Sequence, residues 1–148
     1  MEPIRIDDGT REFSLVDTYG REICKLRFRP ADISIMDRYK TLTEDFDSVV
    51  APLREINDAE ADGEKIKAVE AEIIRRFNVV LDTDTAPIFA KRSALSAVGG
   101  RFFCELVLDA IGGVIADAVA AEAEASAKRI AKYLPEDNGD DRAAAGNA

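Results

Sequence analysis

Residues 35–56 read IMDRYKTLTEDFDSVVAPLREI, and their spacing decides the architecture. Ile35, Met36, Tyr39, Leu42, Phe46, Val49, Val50, Leu53 and Ile56 recur mostly at intervals of three and four, with charged or polar residues between them. That period lays one apolar stripe along an amphipathic helix. Ser34 followed by Asp37 has the form of a capping box with aspartate in the place of glutamate, so the helix is expected to start near Ile35. Pro52 has no amide hydrogen and crowds the carbonyl four residues earlier, which predicts a kink or a break near Val50.

Downstream, residues 57–63 form a polar connection, after which Ile66, Val69, Ile73, Ile74, Phe77 and Leu81 repeat the helical period. A second long helix is therefore predicted from Gly63 to Val80, antiparallel to the first across a short link. Asp84 is placed to cap a short helix that carries Pro87 near its start. Gly99 and Gly100 interrupt the pattern, and a last helix is expected from Arg101 or Phe102, with Phe102, Phe103, Leu106, Val107, Ala110, Ile111, Val114 and Ile115 as its apolar face. Gly112 and Gly113 lie inside that helix, where each glycine costs about 1 kcal/mol relative to alanine. Either a neighbouring backbone approaches closely there or the helix bends. Residues 118–133 have high helix propensity and few large apolar groups, which predicts a solvated extension ending before Pro135.

Upstream, residues 12–17 (EFSLVD) and 22–28 (EICKLRF) flank a Gly-containing turn. In the second segment Cys24, Leu26 and Phe28 alternate with Ile23, Lys25 and Arg27, the period of a strand with one apolar face. The pair is a β-hairpin, and a lone hairpin is marginal in water, so its apolar face must be covered by helices or by another chain. The expected organisation is an N-terminal extension over 1–11, a hairpin plus helical domain over 12–134, and a disordered acidic tail over 135–148. The expected fold class is α+β, mostly α, with the N-terminal hairpin packed on a three- or four-helix bundle and a long C-terminal helix.

Composition narrows the function. The 148 residues carry 29 acidic and 20 basic side chains, a formal charge of -9, and are 47% hydrophobic. A chain of about 150 residues buries roughly 68–70% of its unfolded surface, enough for a core without staples. The longest uncharged run, Ser93 to Gly100, is far shorter than the roughly 20 apolar residues of a membrane span. The N-terminus, MEPIRIDD, lacks the basic start and apolar stretch of a secretory signal, so the cytoplasm is the expected compartment. The acidic balance argues against nucleic acid, whose binding draws on lysine and arginine at phosphates.

The chain has no histidine, and its two cysteines, Cys24 and Cys104, sit inside apolar segments. This removes the commonest general base, the Ser-His-Asp triad and any four-ligand cysteine/histidine zinc site. Asp82 and Asp84 begin like a calcium loop, but the sixth position is Pro87 where glycine is needed and the twelfth is Ser93 where glutamate is needed; a helix cap accounts for them better. No phosphate loop follows either glycine pair. Lys91, Arg92 and Arg101 bracket the uncharged run and read as solvated flanks of a turn, with a docking site for an acidic partner as the sharper alternative. No catalytic residue, cofactor or metal ligand is nominated.

Two stretches carry a resemblance. Residues 26–42 (LRFRPADISIMDRYKTL), which begin at the end of the hairpin, and the later residues 89–111 (FAKRSALSAVGGRFFCELVLDAI) resemble the small tail assembly chaperones of long-tailed bacteriophages and prophages. The likeness covers Glu12 to Ile115. It implies a non-enzymatic cytoplasmic protein that binds the tape measure protein during tail morphogenesis, contacts other tail proteins and forms a homo-oligomer, without membrane or nucleic acid as partner. Families of this kind often also make a longer form by ribosomal frameshifting. The residues expected at partner contacts are Ile35, Tyr39, Leu42, Phe46, Phe102, Phe103 and Leu106, all on apolar helical stripes that serve equally as core. A helical interaction adaptor or a structural virion component would use the same faces, and a small hydrolase acting through Asp82 and Asp84 is the weaker rival.

Overall fold

The fold, a computed structural model, is described for residues 1–55 and 63–133. Strand β1 (Arg11–Val16) and strand β2 (Glu22–Phe28) form an antiparallel hairpin. Phe13 stands opposite Leu26 and Leu15 opposite Cys24, while Val16 faces Glu22, so the register shifts by one residue and Ile23 is the extra one. The turn is built by Asp17, whose Oδ1 accepts the amides of Tyr19 (2.8 Å) and Arg21 (3.0 Å), with Gly20 at φ 80°. Such an Asx arrangement closes a loop without tertiary help. On the outer face Glu12 pairs with Arg27 at 2.9 Å.

Helix α1 (Ile35–Val50) runs directly into a 3-10 helix at Ala51–Glu55. The break therefore falls where Pro52 predicts it, as a tightening of the last turns. The expected contact at Ile56 and the connection to residue 62 lie outside the described residues. The capping box at Ser34 does not form: Ser34 sits at φ -91°, ψ -7° and makes no side-chain cap bond. Its hydroxyl is taken instead by Asp32 and Arg38, and Asp32 also accepts the Ser34 amide at 3.3 Å. The aspartate turn before the helix outcompetes the cap because it satisfies the same groups two residues earlier.

Helix α2 (Gly63–Leu81) packs antiparallel to α1: Arg38 at the start of α1 donates to the Val80 carbonyl at the end of α2 (3.0 Å), and Asp45 reaches Arg76 at 3.1 Å. Arg38 thus satisfies one of the carbonyls that a helix C-terminus leaves open. Asp82 follows at φ 53°, the left-handed position that glycine usually takes at a helix end, and its carboxylate bonds Arg29 at 3.1 Å. A 3-10 turn at Ala86–Phe89 comes next; its cap position is Thr85, while Asp84 Oδ1 accepts the Ala86 amide at 3.0 Å. Thr85 is fully buried, and both its amide and its hydroxyl donate to Asn78 Oδ1 at 2.7 and 2.6 Å.

Two very short strands, β3 (Ala97–Val98) and β4 (Arg101–Phe102), pair around Gly99 and Gly100, whose φ values of 59° and 84° are those of a primed hairpin turn. The last helix, α3 (Phe103–Tyr133), therefore starts one or two residues later than the sequence reading places it. Glu105 Oε1 reaches back to the Phe102 amide at 2.9 Å, and the amides of Phe103 and Cys104 go to the Ser96 and Ala94 carbonyls. Glu70 of α2 pins the preceding loop by accepting from Ser93 Oγ (2.6 Å) and the Ala94 amide (2.8 Å).

The core lies where α1, α2, the 3-10 turn and the first half of α3 meet, around Ile35, Ile73, Phe77, Ile88, Cys104 and Ile115. Leu26 and Phe28 add the hairpin to it. Phe77 meets Phe89 edge-on at 5.7 Å, and Phe89 meets Phe103 edge-on at 5.9 Å, so three rings link α2 to α3. The mostly helical α+β class holds. The tail over 135–148 falls outside the described residues.

Electrostatics adds little to this packing. Hydrogen bonds from Arg75 and Arg76 hold Glu72 well below the usual carboxylate range, at about 2. Because the folded-state value is depressed, the stabilisation is complete above the ordinary value of 4.5 and disappears as pH falls through about 2. The group is surface-exposed, so its worth is on the order of 0.5 kcal/mol. Glu72→Gln should remove that part of the acid dependence while leaving stability at neutral pH within the same small margin. Urea titrations of both proteins at pH 7 and pH 3 check this.

Candidate interaction surface

Alternation along β1 and β2 turns Phe13, Leu15, Leu26 and Phe28 to one side of the hairpin, and the helical period turns Phe103, Leu106, Val107, Ala110, Ile111 and Val114 of α3 toward them. The two apolar faces do not close completely. Between them lies an open cleft of about 330 Å³, also edged by Ser14, Val16 and Ile23. Leu26, Phe28, Val107 and Ile111 form its buried floor; Phe13, Leu15, Phe103, Leu106 and Val114 are half-buried walls. Phe13 and Phe28 are tilted against each other at 5.0 Å, which stiffens the hairpin side.

Of the seven residues nominated from sequence, Phe103 and Leu106 line this cleft. Ile35 and Leu42 are 0% and 3% exposed and serve as core, so neither offers surface to a partner. Tyr39 is half-buried and crosses to α3, where its hydroxyl donates to the Leu108 carbonyl at 3.0 Å. Burial raises that phenol above its ordinary value. Phe46 is half-buried against the core, and Phe102 is half-buried in β4. The structure does not bring the seven into one patch. The hairpin wall was not nominated, although the alternation of Phe13 and Leu15 with Leu26 and Phe28 is visible in the sequence; what periodicity omits is which helix the strands face.

The groups with chemical potential are committed to structure. Burial pushes the Cys104 thiol up to about 12, and Cys24 is also raised, mainly by burial. Both thiols are therefore less ionised at neutral pH than an ordinary cysteine. Asp82 and Asp84 are engaged with Arg29 and the Ala86 amide and do not form a pair around a common centre. Among the described residues no group of three or more histidine, cysteine, aspartate or glutamate side chains is placed to hold a metal, and no helix is long and apolar enough to cross a membrane. Arg101, considered for docking an acidic partner, is held by Asp109 at 2.8 Å and Glu105 at 3.8 Å. What the surface offers chemically is an apolar slot between a strand pair and a helix, suited to apolar side chains of another polypeptide. No family model, no curated protein and no solved structure matches this chain.

Proposed function

We propose that this chain is a non-enzymatic tail assembly chaperone of a long-tailed bacteriophage or prophage, acting in the bacterial host cytoplasm on the tape measure protein. The cleft between the hairpin and α3 is the observation that carries the reading. In the family that the sequence resembles, the tape measure protein is long and aggregation-prone, and its apolar side chains need cover until the tube assembles around it. An amphipathic helix laid in a groove inserts large side chains at spacings of three and four, and a cleft walled by Phe103 and Leu106 on one side and Phe13 and Leu15 on the other receives them. The net charge of -9 keeps such a chaperone dispersed at the concentrations assembly needs. Tyr39, Phe46 and Phe102 lie outside the cleft and pack against the core, and Ile35 and Leu42 are part of that core.

The test uses the full chain and the tape measure protein of the same genome. Leu106→Asp places a charge in the cleft wall and should weaken capture of that client by about tenfold or more, since buried apolar anchors dominate such contacts. Ile33→Asp is the control, because Ile33 is 96% exposed and outside the cleft. Circular dichroism must show the same helicity for both variants. Capture unchanged by Leu106→Asp would remove the cleft from the reading, and retention of the chain in finished particles would favour a structural virion component over a chaperone.

A further inference from the structure

The apolar cleft does not stop at Val114. On α3 the line through Val107, Ile111 and Val114 continues at steps of three and four to Ala118, Ala121 and Glu122. On the hairpin side Arg11 stands two residues before Phe13, and so on the same face of β1, while Arg29 directly follows Phe28. These continuations line a second open cleft of about 600 Å³, together with Asp7 and Asp8 of the N-terminal segment and Asp32 from the loop after β2. Each wall passes from one cleft to the next within a single step of strand or turn of helix, so the two are ends of one groove along α3.

What changes along the groove is its chemistry. The second part sets four carboxylates, Asp7, Asp8, Asp32 and Glu122, against two guanidiniums, Arg11 and Arg29, a net charge of -2. Behind this lining Arg38 pairs with Asp32 at 3.3 Å and Asp82 with Arg29 at 3.1 Å, one charge of each sign, so the balance is unchanged. Arg29 is shared further with Asp8 at 3.6 Å and Asp32 at 3.8 Å. Glu122 is exposed, and the guanidinium whose field reaches it, that of Arg11, is already bonded through both terminal nitrogens to Asp7. Its carboxylate is therefore open to a cation brought from outside. Given the apolar cleft as the client site, we propose that the groove takes a helical client segment whose apolar stripe is followed, about two turns on, by lysine or arginine. The spacing comes from α3: Val114 and Glu122 are eight residues apart, about 12 Å along the axis, and a helix laid beside α3 covers that distance in as many residues. The acidic end then sets which way the client lies, because only one direction brings its basic residues to Glu122.

Two synthetic amphipathic peptides, titrated with the full chain and followed by fluorescence anisotropy, test this. Both carry the same leucine stripe at spacings of three and four; about seven to eight residues past the last leucine one has two lysines and the other two glutamates. The lysine peptide should bind about fivefold more tightly at low ionic strength, and added salt should narrow the gap. Glu122→Lys makes the lining neutral and should close the gap to within about twofold. Glu64→Lys, the same charge change on a 94% exposed side chain at the start of α2, should leave it as it is. Circular dichroism of both variants should match the natural chain. Leu106→Asp should weaken both peptides alike. If it does, equal binding of the two peptides, a gap that survives Glu122→Lys, or one that shrinks as much with Glu64→Lys would overturn the basic-end requirement while the apolar cleft stands. Peptides indifferent to Leu106→Asp, or bound by no form of the chain, would overturn the cleft and the basic-end requirement together.

Discussion

Phe77→Ala should lower the unfolding free energy by about 3–5 kcal/mol, a large part of the 5–15 kcal/mol available to a domain. Phe77 is 1% exposed and is the largest of the fully buried side chains. Its removal takes away the transfer energy of the ring, leaves a void beside Phe89 in the core, and breaks the first of the two edge-on contacts that reach α3. Phe77→Leu keeps most of the volume and should cost much less. Urea unfolding with an unchanged slope and a shifted midpoint would register the effect as stability. A loss below about 1 kcal/mol for the alanine variant would mean that the three rings do not join the two halves of the core.

Gly112 and Gly113 are adjacent in sequence and should respond to alanine with opposite signs. A Cβ at Gly112 would overlap Oη of Tyr39 and lie 2.6 Å from its Cζ, whereas a Cβ at Gly113 meets nothing within 4 Å. In Gly112→Ala the tyrosine ring must swing away and lose its bond to the Leu108 carbonyl. That rearrangement costs about 1–3 kcal/mol and outweighs the helix propensity gained. Gly113→Ala has only the gain, about 0.5–1 kcal/mol. Combining Gly112→Ala with Tyr39→Leu should cost less than the sum of the two single changes, because the shorter side chain vacates the space. Two alanine variants of equal stability would show that α1 and α3 do not cross at this point.

The contrast between these glycines also marks how far the sequence could be read. The apolar periods of α1 and α2, the punctuation by Pro52 and the alternation in the hairpin are local signals, and the elements formed where those signals lie. The Gly112 contact joins residues 73 positions apart, so the sequence showed that a glycine was tolerated there and not which side chain required it. Ile35 and Leu42 were read as candidate contacts because a stripe marks the apolar side of a helix without saying whether that side turns inward. Ser34 failed as a cap for a related reason: Asp32, two residues earlier, competes for the same groups. The pairing of Ala97–Val98 with Arg101–Phe102 is too short to show any period. As for the surface, the helix wall at Phe103 and Leu106 was legible, while the strand wall became a wall only once the hairpin was seen to lie over α3.

Cys104 carries a consequence for anyone handling this molecule. Its sulfur is sealed beneath the first turn of α3 with a 0% exposed side chain and a thiol held near 12, so air, alkylating reagents and stray disulfides find nothing to react with while that turn is seated. Once Cys24 is replaced, the speed at which a reagent stains position 104 becomes a clock for how often the root of the helix lifts.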